Sequence, residues 1–156
     1  MIDIIIIILS GIFATAVMCG FLEVVARSKL ANADMVRAVG SLFTASYENA
    51  LKPGLIIQFG FGIVFSFIYF GVLSFFWSTG PAVIGIIGGV VMGFFHGMVV
   101  GLSLVIVVAE HHPLEIFRKA GLTVAGTHLF GHMIYGLVIG IIFAASGIRI
   151  LVTSVG

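Results

Sequence analysis

Four long apolar runs, at residues 4–26, 55–77, 83–109 and 122–145, alternate with polar connections. Each run meets the requirement of roughly 20 apolar residues for a helix that crosses bilayer hydrocarbon, so the pattern predicts four transmembrane helices. Between the first two runs, Met35, Val39, Leu42, Phe43 and Leu51 fall at helical intervals, while Asp34, Arg37, Ser41 and Glu48 take other positions. This predicts an amphipathic helix over 34–51 lying in the interface, begun by Asn32 or Asp34 and stopped by Pro53-Gly54. The expected fold class is therefore all-α: a polytopic four-transmembrane-helix bundle with an interfacial helix in its first loop, forming one domain over 1–156.

Small residues form a second pattern inside the runs. Gly85, Gly89, Gly93, Gly97 and Gly101 recur at intervals of four in the third run. That spacing keeps them near one helical face, where the missing side chains let another helix approach backbone-close, a glycine zipper. In water each glycine would cost roughly 1 kcal/mol relative to alanine; in lipid, helicity is enforced by the need to pair every backbone polar group. Gly136, Gly140 and Ala144 give the fourth run its own row, and Gly11, Thr15 and Cys19 give one to the first. The second run is rich in phenylalanine, with Trp77 placed as an interfacial anchor and Ser78-Thr79-Gly80-Pro81 as a tight turn.

Composition agrees with a membrane environment. Of 156 residues, 61% are hydrophobic and 8% charged, about a third of the charge usual in a soluble domain. A net charge of +1 without a basic patch gives no basis for nucleic-acid binding. The single cysteine, Cys19, cannot form an internal disulfide. A cleaved signal peptide is a poor description of the first run, because its basic residues follow the apolar stretch.

The polar exceptions supply the candidate chemistry. His96 stands near the middle of the third run, where an ionisable group is a functional candidate by default; the competing expectation is a neutral imidazole bonded to Gln58, Ser103 or a backbone carbonyl. Gln58 itself suits a hydrogen bond across a helix interface. His128 and His132, one turn apart, share a helical face and can chelate one ion. The connection between the third and fourth runs returns Glu110, His111 and His112 to the same membrane side, which makes them candidate further ligands. At 1.5 Å per residue, His132 lies about 6 Å deeper than His128, and His96 about 20 Å from His111, so one ion cannot use them all. Haem held by His96 and His132 would need both at one depth, and the spacing predicts unequal depths.

Arg27, Lys29, Arg37, Lys52, Arg118 and Lys119 lie on one side of the expected topology and Arg149 alone on the other. This bias predicts cytoplasmic loops at 27–54 and 110–121, with both termini outside. Gly11-Ile12-Phe13-Ala14-Thr15-Ala16-Val17-Met18, Tyr69, and Gly131-His132-Met133-Ile134-Tyr135-Gly136 with Gly140 resemble the pattern of small uncharacterised bacterial four-helix inner-membrane proteins, broadly YagU-like. The resemblance implies four spans and draws attention to His132 and Tyr135. It implies no reaction, and Gln58 departs from it, standing where such proteins often carry a histidine.

These features lead to an expected non-catalytic membrane subunit or assembly partner, packing against the bilayer and against other subunits or its own copies. The alternatives are a histidine-bound transition metal or haem, and a small oligomeric ion, proton or solute transporter. Neither a Gly-x-Ser-x-Gly elbow nor a cysteine-histidine pairing points to nucleophilic catalysis.

Overall fold

The computed structural model describes residues 2–77 and 82–148, with side chains described at all of these but 2, 76, 77 and 82. The Trp77 side chain, the Ser78-Thr79-Gly80-Pro81 turn and Arg149 lie outside the described residues. The described residues are all-helical and contain α1 (Ile2–Arg27), α2 (Met35–Thr44), α3 (Leu51–Trp77) and α4 (Ala82–Ser103). The last continues through a π-helical stretch, Leu104–Val108, and a final α-helical turn, α5 (Ala109–His111); a 3-10 turn, Glu115–Phe117, then leads to α6 (Leu122–Ser146). Four of these segments are long and apolar enough to cross a membrane: Asp3–Arg27, Leu51–Phe75, Val83–His111 and Leu122–Ser146.

The closest pair is α4 with α6, antiparallel, and its spacing follows from the absent side chains. A Cβ added at Gly89 would strike the carbonyl oxygen of Gly136, one at Gly93 that of His132, and one at Gly140 would come within 2.7 Å of Gly85 O. The row continues at Gly97, which faces Leu129, and at Gly101, which faces Ala125. With no side chain between them, the two backbones gain dispersion contacts that lipid could not supply. Gly11 packs on Gly62, Ile63 and Ser66 in the same manner, joining α1 to α3, where Ser66 Oγ also donates to Ile7 O at 2.7 Å.

The amphipathic helix is shorter than its pattern predicts. Asp34 caps its start, accepting from Arg37 N at 3.2 Å, and Ala45, in the left-handed region at φ 49°, ends it. Leu51 therefore belongs to α3, and Pro53-Gly54 lies in the first turn of that helix instead of ahead of it. Proline is tolerated there because the first N–H groups of a helix have no intrahelical partner. Nor does α2 rest on lipid alone: a Cβ at Gly40 would collide with Ala50 O and one at Gly54 with Val36 O, so α2 is seated against the start of α3. Its outer face presents Leu42 and Phe43.

Tyr69, Leu73, Tyr135, Ile139 and Phe143 form the centre of the bundle with Ile7, Ala14, Met18 and Leu22 of α1. Outward positions are large and apolar, among them Phe13, Ile56, Phe61, Phe75, Phe95 and Val99. A soluble monomer rarely carries so continuous an apolar exterior; it is the surface expected of helices solvated by acyl chains.

Candidate functional site: a histidine pair beside a cavity

The contact between α4 and α6 brings His96 and His132 together. Their ring centroids are 4.4 Å apart at an interplanar angle of 67°. The sequence places them about one turn apart in depth, roughly 5 Å, and the structure shows that two imidazole side chains span that offset when glycines hold the backbones this close. The unequal depths expected from the sequence therefore do not separate the rings.

Aromatic side chains surround the pair. Phe65 stacks on His96 with centroids 3.9 Å apart, while Tyr69 and Tyr135 approach it edge-on at 6.2 and 6.5 Å and each other at 5.5 Å. Tyr135 donates to Gly62 O at 2.6 Å, tying α6 to α3.

The ring nitrogens are unequally used. His132 donates Nδ1–H to His128 O at 2.8 Å, and His96 Nδ1 lies 3.4 Å from the Tyr69 hydroxyl. Neither Nε2 has a hydrogen-bond partner among the described residues. The bond to a carbonyl puts the His132 proton on Nδ1 and leaves its Nε2 lone pair free; since a hydroxyl can accept as well as donate, the His96 tautomer with Nδ1–H toward Tyr69 leaves the same lone pair free there. His96 thus meets Tyr69 and not Gln58 or Ser103; Ser103 donates to Val99 O within its own helix.

Both histidines line a cavity of about 150 Å³ that reaches toward α2. Its wall includes Thr15 and Met18 of α1, Met35 and Val39 of α2, and Gln58, Phe61 and Phe65 of α3. Thr15 Oγ1 is buried against it without a hydrogen-bond partner. The volume is about half the lower end of the range that holds drug-sized ligands, and the imidazole rings touch, so no porphyrin fits between them.

The other predicted ligands are not gathered here. Among the described residues, no three His, Cys, Asp or Glu side chains form a group that could hold a metal ion. Glu110 and His111 are exposed. His112 is buried with both nitrogens engaged: Nε2–H donates to Ala38 O at 3.0 Å and Nδ1 accepts from Leu114 N at 3.0 Å. His128 shares the helical face of His132 but lines a separate cavity of about 20 Å³ with Asn32, Asp34 and Phe117. Its Nδ1–H donates to Val124 O at 2.8 Å, and its Nε2 is buried without a partner.

The polar groups outside the spans act on α2. Tyr47 OH donates to Asp34 Oδ2 at 2.9 Å, and the Arg37 guanidinium pairs with the same carboxylate at 3.2 Å while lying over the Tyr47 ring. Burial, then the hydrogen bond to Asp34, push the Tyr47 hydroxyl above its ordinary value. Asn32 donates to Ile116 O at 3.0 Å, joining the first and third connections. Sequence reasoning passed over this tie, Met18 and Met35 as cavity wall, and Tyr69 as the partner of His96. The register would have revealed the His96–His132 pairing, because aligning the two glycine rows antiparallel brings the two residues within a turn.

Fold and site define the class: an all-helical, multi-pass membrane protein with a mostly apolar pocket that carries two histidines. No family model, curated protein or solved structure matches the chain.

Proposed function

We propose that the chain binds a transition-metal ion inside the membrane, with His96 and His132 as its nitrogen donors. The observation that carries this reading is that two imidazoles, His132 buried and His96 half-buried, each without a hydrogen-bond partner at Nε2 among the described residues, stand on the wall of one cavity. A polar ring nitrogen held in hydrocarbon costs free energy unless it is used. His112, by contrast, is satisfied at both nitrogens, while His128, whose Nε2 is also unpartnered, shares its smaller cavity with no second imidazole. The pocket lies toward α2, and the excess of basic residues on that side supports access from the cytoplasm, an inner-membrane location and both termini outside.

The test is a thermal-stability panel on detergent-purified protein against first-row divalent ions and monovalent copper and silver. At least one ion raises the midpoint of wild type and of His111→Ala, but not of His96→Ala or His132→Ala. An ion response that survives both site substitutions, or no response to any ion, would sink the reading.

A second reading, packing against another membrane subunit, is favoured by a groove of about 310 Å³ between α3 and α4, lined by Val72, Leu73, Ile84, Ile87, Gly88 and Val91. Its wall is apolar, and α3 and α4 meet only sparsely beside it. Native purification with a stoichiometric partner that Gly88→Trp displaces would support this role; recovery of the chain alone would remove it.

A further inference from the structure

The donor set of the cavity discriminates among metal ions. It offers two imidazole nitrogens, from His96 and His132, and two thioether sulfurs, from Met18 and Met35, with Thr15 and Gln58 as neutral oxygen donors. No carboxylate or thiolate lines it. Inside a bilayer, where charge is costly, a ligand shell with no negative charge leaves the full charge of the ion uncompensated. The electrostatic penalty grows with the square of that charge, so a monovalent ion is far cheaper to hold than a divalent one. Thioether sulfur adds a chemical preference, since soft ligands select cuprous copper over zinc, manganese or magnesium.

We infer that the pocket is a site for a soft monovalent metal ion, cuprous copper or its analogue silver, held by the Nε2 atoms of His96 and His132 and the sulfurs of Met18 and Met35. This rests on the metal-binding reading above and narrows it to one class of ion. Met18 is buried on α1, whereas Met35 begins α2, so the ligands come from four different helices. Methionine is unbranched and has three rotatable bonds, which lets both thioethers swing into a cavity larger than a bare ion. Because Met35 belongs to α2, binding also couples the interfacial helix to the bundle core.

The experiment is an anaerobic competition titration of the detergent-purified full chain against a chromophoric cuprous chelator. It is repeated with silver, which needs no reductant, and with zinc. The expected result is about one cuprous or silver ion per chain, with binding lost in His132→Ala. The paired substitution Met18→Leu and Met35→Leu keeps side-chain volume and so preserves the fold, yet should weaken cuprous binding at least about tenfold, the lower end of losses seen when a metal site's support is removed. Cuprous binding unchanged by the methionine pair overturns the inference. So does histidine-dependent binding of zinc in preference to copper and silver, although the metal-binding reading then stands. Failure of all three ions to bind overturns the inference and leaves that reading without support from these metals.

Discussion

Individual glycines in this chain are not equivalent, and the difference is measurable. An added Cβ at Gly89 or Gly136 meets a backbone carbonyl of the facing helix, whereas at Gly60 and Gly126 it meets nothing. Gly89→Ala and Gly136→Ala should each lower stability by about 1–3 kcal/mol, the usual cost of forcing volume into a packed interface, while Gly60→Ala and Gly126→Ala should be neutral; reversible unfolding in detergent measures all four. The rows at intervals of four were legible because they recur. Gly60 and Gly126 could be sorted from them only by knowing which face is covered. The histidines show the same limit. His128 and His132 adjoin on one helix and invite a shared ligand, yet they line different cavities. The ring that His132 meets comes from α4, a pairing set by the antiparallel register.

At the scale of the element, α2 depends on tertiary ties more than on its own pattern. His112 is its chief latch, donating to Ala38 O from a loop 74 residues away in sequence. Ala38 O keeps the Ser41 hydroxyl as a donor at 3.1 Å, so His112→Ala should remove the tie between segments at a cost of about 0.5–1.5 kcal/mol, read as faster amide exchange across residues 38–44 with the transmembrane helices unchanged. The Asp34–Tyr47 contact adds a pH dependence of definite sign. The Tyr47 hydroxyl is held above its ordinary value, so its contribution is complete below about pH 10 and is lost as alkaline titration passes through the raised value. An ultraviolet phenolate titration should find Tyr47 ionising later in wild type than in Asp34→Ala. The boundaries of α2 were less legible than its existence: a left-handed Ala45 ends it, and nothing about alanine announces that conformation. Pro53 reads as a stop, but the first turn of α3 accommodates it.

For the whole molecule, four spans were legible from length and hydropathy alone, because a bilayer imposes both. Orientation rests on the distribution of basic residues, and it predicts that cysteines placed at Glu48 and Ser146 in a Cys19→Ala background label from opposite faces, Glu48→Cys from the cytoplasm. Labelling of both from one face would contradict four crossings. The pocket was the least legible feature, since its wall draws on α1, α2, α3, α4 and α6, and no local pattern encodes such a convergence. The central claim is that this wall binds through His96 and His132. Its most direct test is nitrogen-15 histidine NMR of the purified chain during silver titration, with each resonance assigned by single histidine substitution. The account predicts large shifts of the His96 and His132 Nε2 resonances with His112 and His128 unmoved; shifts confined to His111 or His128, or no shifts at all, would contradict it.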